Sequence, residues 1–118
     1  MKSKNQIIGL LAEKCVGDFF QNNNFIILQK NFSWKFGEID IIAQKNNVIH
    51  FIEVKKRDYV PDDLNLILPK HKINSLKKTA HYFIDFYNYD IKTNIFQFDL
   101  ALIVNDNLYF YENIFETK

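Results

Sequence analysis

The spacing of apolar residues switches along the chain between the helical repeat and the two-residue alternation of strands, and the switches divide it into elements. Ile8, Leu11, Ala12, Cys15, Val16 and Phe19 recur at helical spacing, which predicts one amphipathic helix over residues 6–22, ended by Asn22-Asn23-Asn24. Phe25 to Phe32 reads as a short apolar strand. Phe36 to Arg57 contains two β-branched, aliphatic runs flanking Asn46-Asn47, and asparagine tolerates positive φ, so a tight hairpin is expected there. Tyr59 to Pro69, with both prolines and with Asp62 and Asp63, reads as a long loop. A second helix is predicted over 70–88, with Ile73, Leu76, Ala80, Phe83, Ile84 and Tyr87 on its apolar side and Lys77, Lys78 and His81 outward. Ile95 to Val104 is a strand, Asn105-Asp106-Asn107 a turn, and Leu108 to Tyr111 a last strand. The order α-β-β-β-α-β-β defines an α/β fold: a central mixed sheet with helices packed against it, in one domain, 1–118.

The hairpin concentrates the chemistry. With Lys45 opposite Val48, Asp40 lies across from Glu53 and Glu38 across from Lys55. Opposed residues share a face, as do residues two apart in one strand. Glu38, Asp40, Glu53 and Lys55 then form one cluster, while Ile39, Ile41, Ala43, Ile52 and Val54 face the core. Two ionised carboxylates about 5 Å apart repel by roughly 3 kcal/mol at an effective dielectric near 20. One lysine against three acids leaves the cluster short of positive charge, and a divalent cation with oxygen ligands would supply it. The competing reading is a solvated polar face in which Lys55 bridges Glu38. Glu13, at the margin of the first helix's stripe and one turn after Gly9, is a surface residue or a further acid for the same cluster.

Net charge is +1, so global charge makes no case for nucleic acid. Distribution says more, because Lys55, Lys56 and Arg57 form one basic cluster and Lys70, Lys72, Lys77 and Lys78 another. Lys72, in the first turn of its helix, is expected to reach toward the carboxylates. Trp34 is expected to pack at the sheet edge in preference to stacking on a base, and Asp99 to be hydrogen-bonded for structural reasons. Tyr82, Phe86, Tyr87 and Tyr89 read as core and rim; exposed, they would suggest a homodimer contact. The single cysteine, Cys15, excludes an intrachain disulfide. No apolar run approaches a membrane span, and a cytoplasmic protein without membrane association is expected.

Asp40, then Glu53-Val54-Lys55, with Glu13 upstream, resembles the PD-(D/E)XK nuclease superfamily, Ile39 standing where its proline would be. The chain is more closely similar to the YraN-type proteins, small bacterial proteins related to archaeal Holliday junction resolvases. Ala12-Glu13, Lys30-Asn31-Phe32, Phe36 to Ala43, Phe51 to Arg57, Lys72, Ala80 and Phe98-Asp99 carry that resemblance. Val16-Gly17, in place of alanines, and a loop after Arg57 without glycine depart from it. The resemblance implies a restriction-endonuclease-like fold, with Mg²⁺ or Mn²⁺ at Asp40 and Glu53 and Glu13 as the helix-borne acid. It also implies Lys55 as catalytic lysine. The activity expected is DNA endonuclease, on branched or structured DNA, with Lys56, Arg57, Lys70, Lys72, Lys77 and Lys78 on phosphates and Glu38 supporting. A Holliday junction substrate would imply a two-fold dimer. The alternative is a non-catalytic nucleic-acid-binding or adaptor module on the same fold.

Overall fold

A computed structural model describes residues 5–9 and 15–115, with side chains described from Val16 onward. Strands β1 (Asn5–Gly9), β2 (Ile26–Trp34), β3 (Gly37–Lys45), β4 (Val48–Arg57), β5 (Ile95–Val104) and β6 (Asn107–Tyr111) form one six-stranded sheet in the order β1-β6-β5-β4-β3-β2. Helices α1 (Cys15–Asn22) and α2 (Lys70–Phe86) accompany it, with a short 3-10 turn at Leu64–Leu66 in the loop before α2. Only β4 and β5 run parallel, because α2 carries the chain across between them. The sheet is therefore mixed, as expected.

One expectation fails at the start. Residues 5–9 are not the beginning of a helix; they pair antiparallel with β6, from Asn5 opposite Tyr111 to Gly9 opposite Asn107. Strand β6 would otherwise present a bare row of backbone donors and acceptors, and Ile7-Ile8 suits extended backbone. Helix is confined to Cys15–Asn22. The remainder of the expected stripe, including Leu11, Ala12 and Glu13, lies outside the described residues.

The sheet is covered on both faces. Val16, Phe19 and Phe20 of α1 pack with Ile41, Ala43, Ile52, Ala101, Ile103 and Phe110. Leu76, Ala80 and Phe83 of α2 pack on the other face with Ile39, Ile42, Phe51, Leu100 and Leu102. Ile39 thus leaves the layer of Ile41 and Ala43, contrary to simple alternation. The β3–β4 ladder holds the register expected from the asparagine turn, Lys45 opposite Val48 through Ile41 opposite Ile52, with Asn46 at φ 56°. It ends there. Beyond Ile41 the strands part, and the side chains of β3 cease to alternate across a paired ladder.

Candidate metal and phosphate site

The parting of β3 and β4 makes the site. Asp40 and Glu53 would be the next ladder pair; in its place the Asp40 carboxylate enters the gap and its Oδ2 accepts the backbone N–H of Val54 at 2.8 Å. A side chain has replaced a carbonyl as partner of the β4 backbone, which fixes Asp40 beside Glu53. Its other oxygen accepts no hydrogen bond from the described residues.

Glu53 is 5% exposed and lies under the first turn of α2. Its Oε2 receives two ammonium groups, Lys55 Nζ at 3.3 Å and Lys72 Nζ at 3.5 Å. Oε1 is buried and meets no hydrogen-bond donor among the described residues. Burial, foremost, and the Asp40 charge raise its pKa above 4.5, while Lys72 and then Lys55 pull it down. Leaving a buried carboxylate oxygen bare costs about 1–3 kcal/mol or more.

The charge count departs from the expectation of three acids against one lysine. Glu38 is exposed and lies opposite Ser33 of β2, and among the described residues it makes no ion pair with Lys55, so it is not seen to join the cluster. Lys72, as expected, points inward. Among the described residues two carboxylates, Asp40 and Glu53, face two ammonium groups, Lys55 and Lys72. The reading in which Lys55 bridges Glu38 is also set aside, since Lys55 is engaged with Glu53. What the lysines leave unmet is Oε1.

A groove of about 620 Å³ opens beside the pair, lined by Gly17, Lys30, Asn31, Asp40, Lys55, Lys56 and Arg57 among others. Glu53 is withdrawn from its wall. Lys30 and Asn31 were legible only as part of a family motif. Their place follows from Lys30 lying opposite Ile41 on β2, and from Gly17, where a Cβ would come within 3.1 Å of the Lys30 ammonium. Lys70 is exposed at the start of α2. Lys78 lies over the Phe36 ring, whereas Lys77 turns to the ring of Phe115 and does not reach the groove. The expected second basic cluster is therefore split.

Among the described residues no three histidine, cysteine or carboxylate side chains converge to hold a metal ion. Asp40 and Glu53 remain as a pair. Their hard oxygen donors suit Mg²⁺ or Mn²⁺, which commonly use one or two carboxylates and keep several waters. The orphaned Oε1 beside Asp40 fits such an ion.

A second buried acid behaves differently. Asp99 is 1% exposed, and its carboxylate is paired with His50 Nδ1 at 2.6 Å, Gln97 Nε2 at 2.9 Å and the Asn113 backbone N–H at 2.8 Å. It is hydrogen-bonded within the fold, as expected from the sequence. His50, its partner on β4, was not anticipated.

A mixed α/β sheet with paired acids and lysines where two strands separate defines the class of protein. The description "Uncharacterised protein family UPF0102" matches residues 12–103, and the chain belongs to that family. It is 41% identical to a UPF0102 protein of Campylobacter jejuni over 97% of this chain and 98% of the relative. A UPF0102 protein of Aliarcobacter butzleri is 38% identical over 90% of this chain and 94% of its own. One from Campylobacter fetus is 34% identical, over 97% and 98%.

Proposed function

We propose that the chain is a divalent-metal-dependent DNA endonuclease of the PD-(D/E)XK type with a restriction-endonuclease-like fold, acting on branched or structured DNA. The observation that carries the reading is the buried Glu53 carboxylate, one oxygen bare and the other held by two ammonium groups, beside Asp40. A structural carboxylate in such a place would be satisfied.

Asp40 and Glu53 would hold Mg²⁺ or Mn²⁺. When bound, the ion lowers the pKa of a coordinated water and offsets charge on a phosphoryl oxygen. Lys55 lines the groove and reaches Glu53; in this reading its ammonium would orient the attacking water and neutralise charge developing on the phosphoryl group. Lys72 adds a second cation and tunes Glu53. In hydrolysis the water oxygen bonds to phosphorus, one ester P–O bond breaks, and the water's proton passes through solvent to the departing alkoxide. Lys30, Lys56 and Arg57 border the groove where flanking phosphates would lie. Glu38 and Lys77 stay out of this reading, and Glu13 lies outside the described residues. A reducing cytoplasm suits the single cysteine.

The test is nicking of supercoiled and branched DNA with Mn²⁺. Wild type should cleave, and Asp40→Ala and Lys55→Ala should each lose about 100-fold or more in rate while still binding DNA. Binding that both variants retain, with no cleavage by wild type, would instead make the chain a DNA-binding module.

A further inference from the structure

Away from the groove, the free edge of β2 and the outer end of α2 carry a column of aromatic rings. Trp34 and Tyr82 stack at 4.0 Å and 9°, Tyr82 continues onto Phe86 at 5.6 Å and 21°, and Phe36 meets Trp34 edge-on at 4.7 Å. The rings at the two ends are open: Phe36 is 42% and Phe86 62% exposed. Lysines sit among them, Lys35 5.3 Å from the Trp34 and Phe36 centroids and Lys78 4.9 Å from Phe36.

This surface is more than sheet-edge packing. Burial alone would not leave Phe86 and Phe36 in water at either end of an ordered stack. Two exposed acids lie close by in the chain, Glu38 at the start of β3 and Asp85 on α2, and neither pairs with Lys35 or Lys78 among the described residues. Lys35 and Lys78, set among the exposed rings, make the surface attractive to an anionic partner. A partner that is anionic and carries flat rings meets both features. Single-stranded nucleic acid has that chemistry, since every base offers a π-face and every linkage a phosphate.

The position fits as well. Lys72, at the carboxylates, and Tyr82 and Phe86, in the column, are ten and fourteen residues apart on α2. At 1.5 Å per residue they lie about 15 and 21 Å apart along the axis, or about four to six nucleotides of stacked strand. We infer that the column around Trp34, Tyr82, Phe86 and Phe36 is a stacking platform for unpaired bases, several nucleotides from the phosphate held beside Asp40 and Glu53. The inference rests on the nuclease reading and names its substrate class: DNA with a single-stranded segment next to the cleaved linkage.

Trp34 is the only tryptophan, so its fluorescence reports the platform directly. The full chain is titrated in EDTA, where no cleavage occurs, with an oligothymidylate and with a blunt duplex of equal length. The single strand should quench Trp34 at lower concentration than the duplex. Phe86→Ala, at a solvent-facing position, should keep the wild-type melting temperature and weaken single-strand binding about 5- to 100-fold. Lys78→Ala should lower the salt dependence of that binding by about one phosphate contact. Equal quenching by strand and duplex, or no effect of Phe86→Ala, overturns the platform. So does a wild-type dimer in sedimentation that Phe86→Ala converts to monomer while DNA leaves Trp34 unquenched. Quenching that survives in Asp40→Ala, with no cleavage by wild type in Mn²⁺, upholds the platform and removes the nuclease. Cleavage of blunt duplex as fast as of DNA with single-stranded arms, unaltered in Phe86→Ala, does the reverse.

Discussion

Two buried acids in neighbouring parallel strands, Asp99 in β5 and Glu53 in β4, receive opposite treatment from the fold. Asp99 is enclosed by three hydrogen-bonding partners, a ring nitrogen, an amide and a backbone N–H. Glu53 has one oxygen crowded by ammonium groups and the other without a hydrogen-bond partner among the described residues. Burial is almost equal, 1% and 5% exposed, so burial does not separate them. Satisfaction does. Among the described residues, donors surround Asp99 and leave one oxygen of Glu53 without a partner, which is the feature the proposed metal site rests on.

The comparison breaks most sharply in activity. Glu53→Gln should cut Mn²⁺-dependent nicking by about 100-fold or more, whereas Asp99→Leu should leave the rate per folded molecule within a few-fold of wild type. A comparable loss in both would erase the distinction.

Stability should invert the order. Asp99→Leu strands the His50 ring and the Asn113 N–H in the interior and should cost about 3 kcal/mol, read as a fall in thermal midpoint. Glu53→Gln removes a carboxylate whose ionisation the interior resists. The folded pKa of Glu53 lies above its unfolded value of 4.5, so the folded state holds its proton more tightly. That stability is present at low pH and is lost as pH rises through the folded pKa. Glu53→Gln should therefore melt higher than wild type at pH 8, and the difference should close near pH 4. Equal melting of the two proteins at both pH values would show that Glu53 carries no such cost.

The smallest effect concerns the second lysine. Lys72→Met removes a charge that holds the Glu53 pKa down, and its ammonium is partly solvated, so the cost in stability should be small. The loss of stability with rising pH should still begin near the unfolded value but continue to higher pH before it levels off. An unchanged pH profile would detach Lys72 from Glu53.

How far the sequence discloses this contrast depends on the range of the contact. The Asn46-Asn47 turn sets the β3–β4 register within a few residues, so Asp40 and Glu53 are brought together on paper as in the fold. Lys72 is legible because the first turn of a helix places it. The end of the ladder at Ile41 and Ile52 is not legible. It depends on Asp40 itself taking the Val54 N–H, and it moves Ile39 into the other layer and leaves Glu38 in solvent. Strand β1 is hidden for another reason: its partner lies at the far end of the chain, and Ile7-Ile8 satisfies helical spacing as readily as extended pairing. The His50–Asp99 pair joins strands in parallel, whose register no turn announces. Lys30 and Asn31 come to the groove across the β2–β3 pairing, which contains an irregularity between Ile27 and Gln29 that alternation does not foresee.

Calorimetric titration of the apo protein with Mn²⁺ at pH 7.5 puts the pair of acids to the proof. One site should be filled in wild type, with affinity rising with pH as Glu53 gives up its proton, and the site should vanish in both Asp40→Ala and Glu53→Gln. Absence of a site in wild type, or one that survives both substitutions, would contradict the assignment of Asp40 and Glu53 as its ligands.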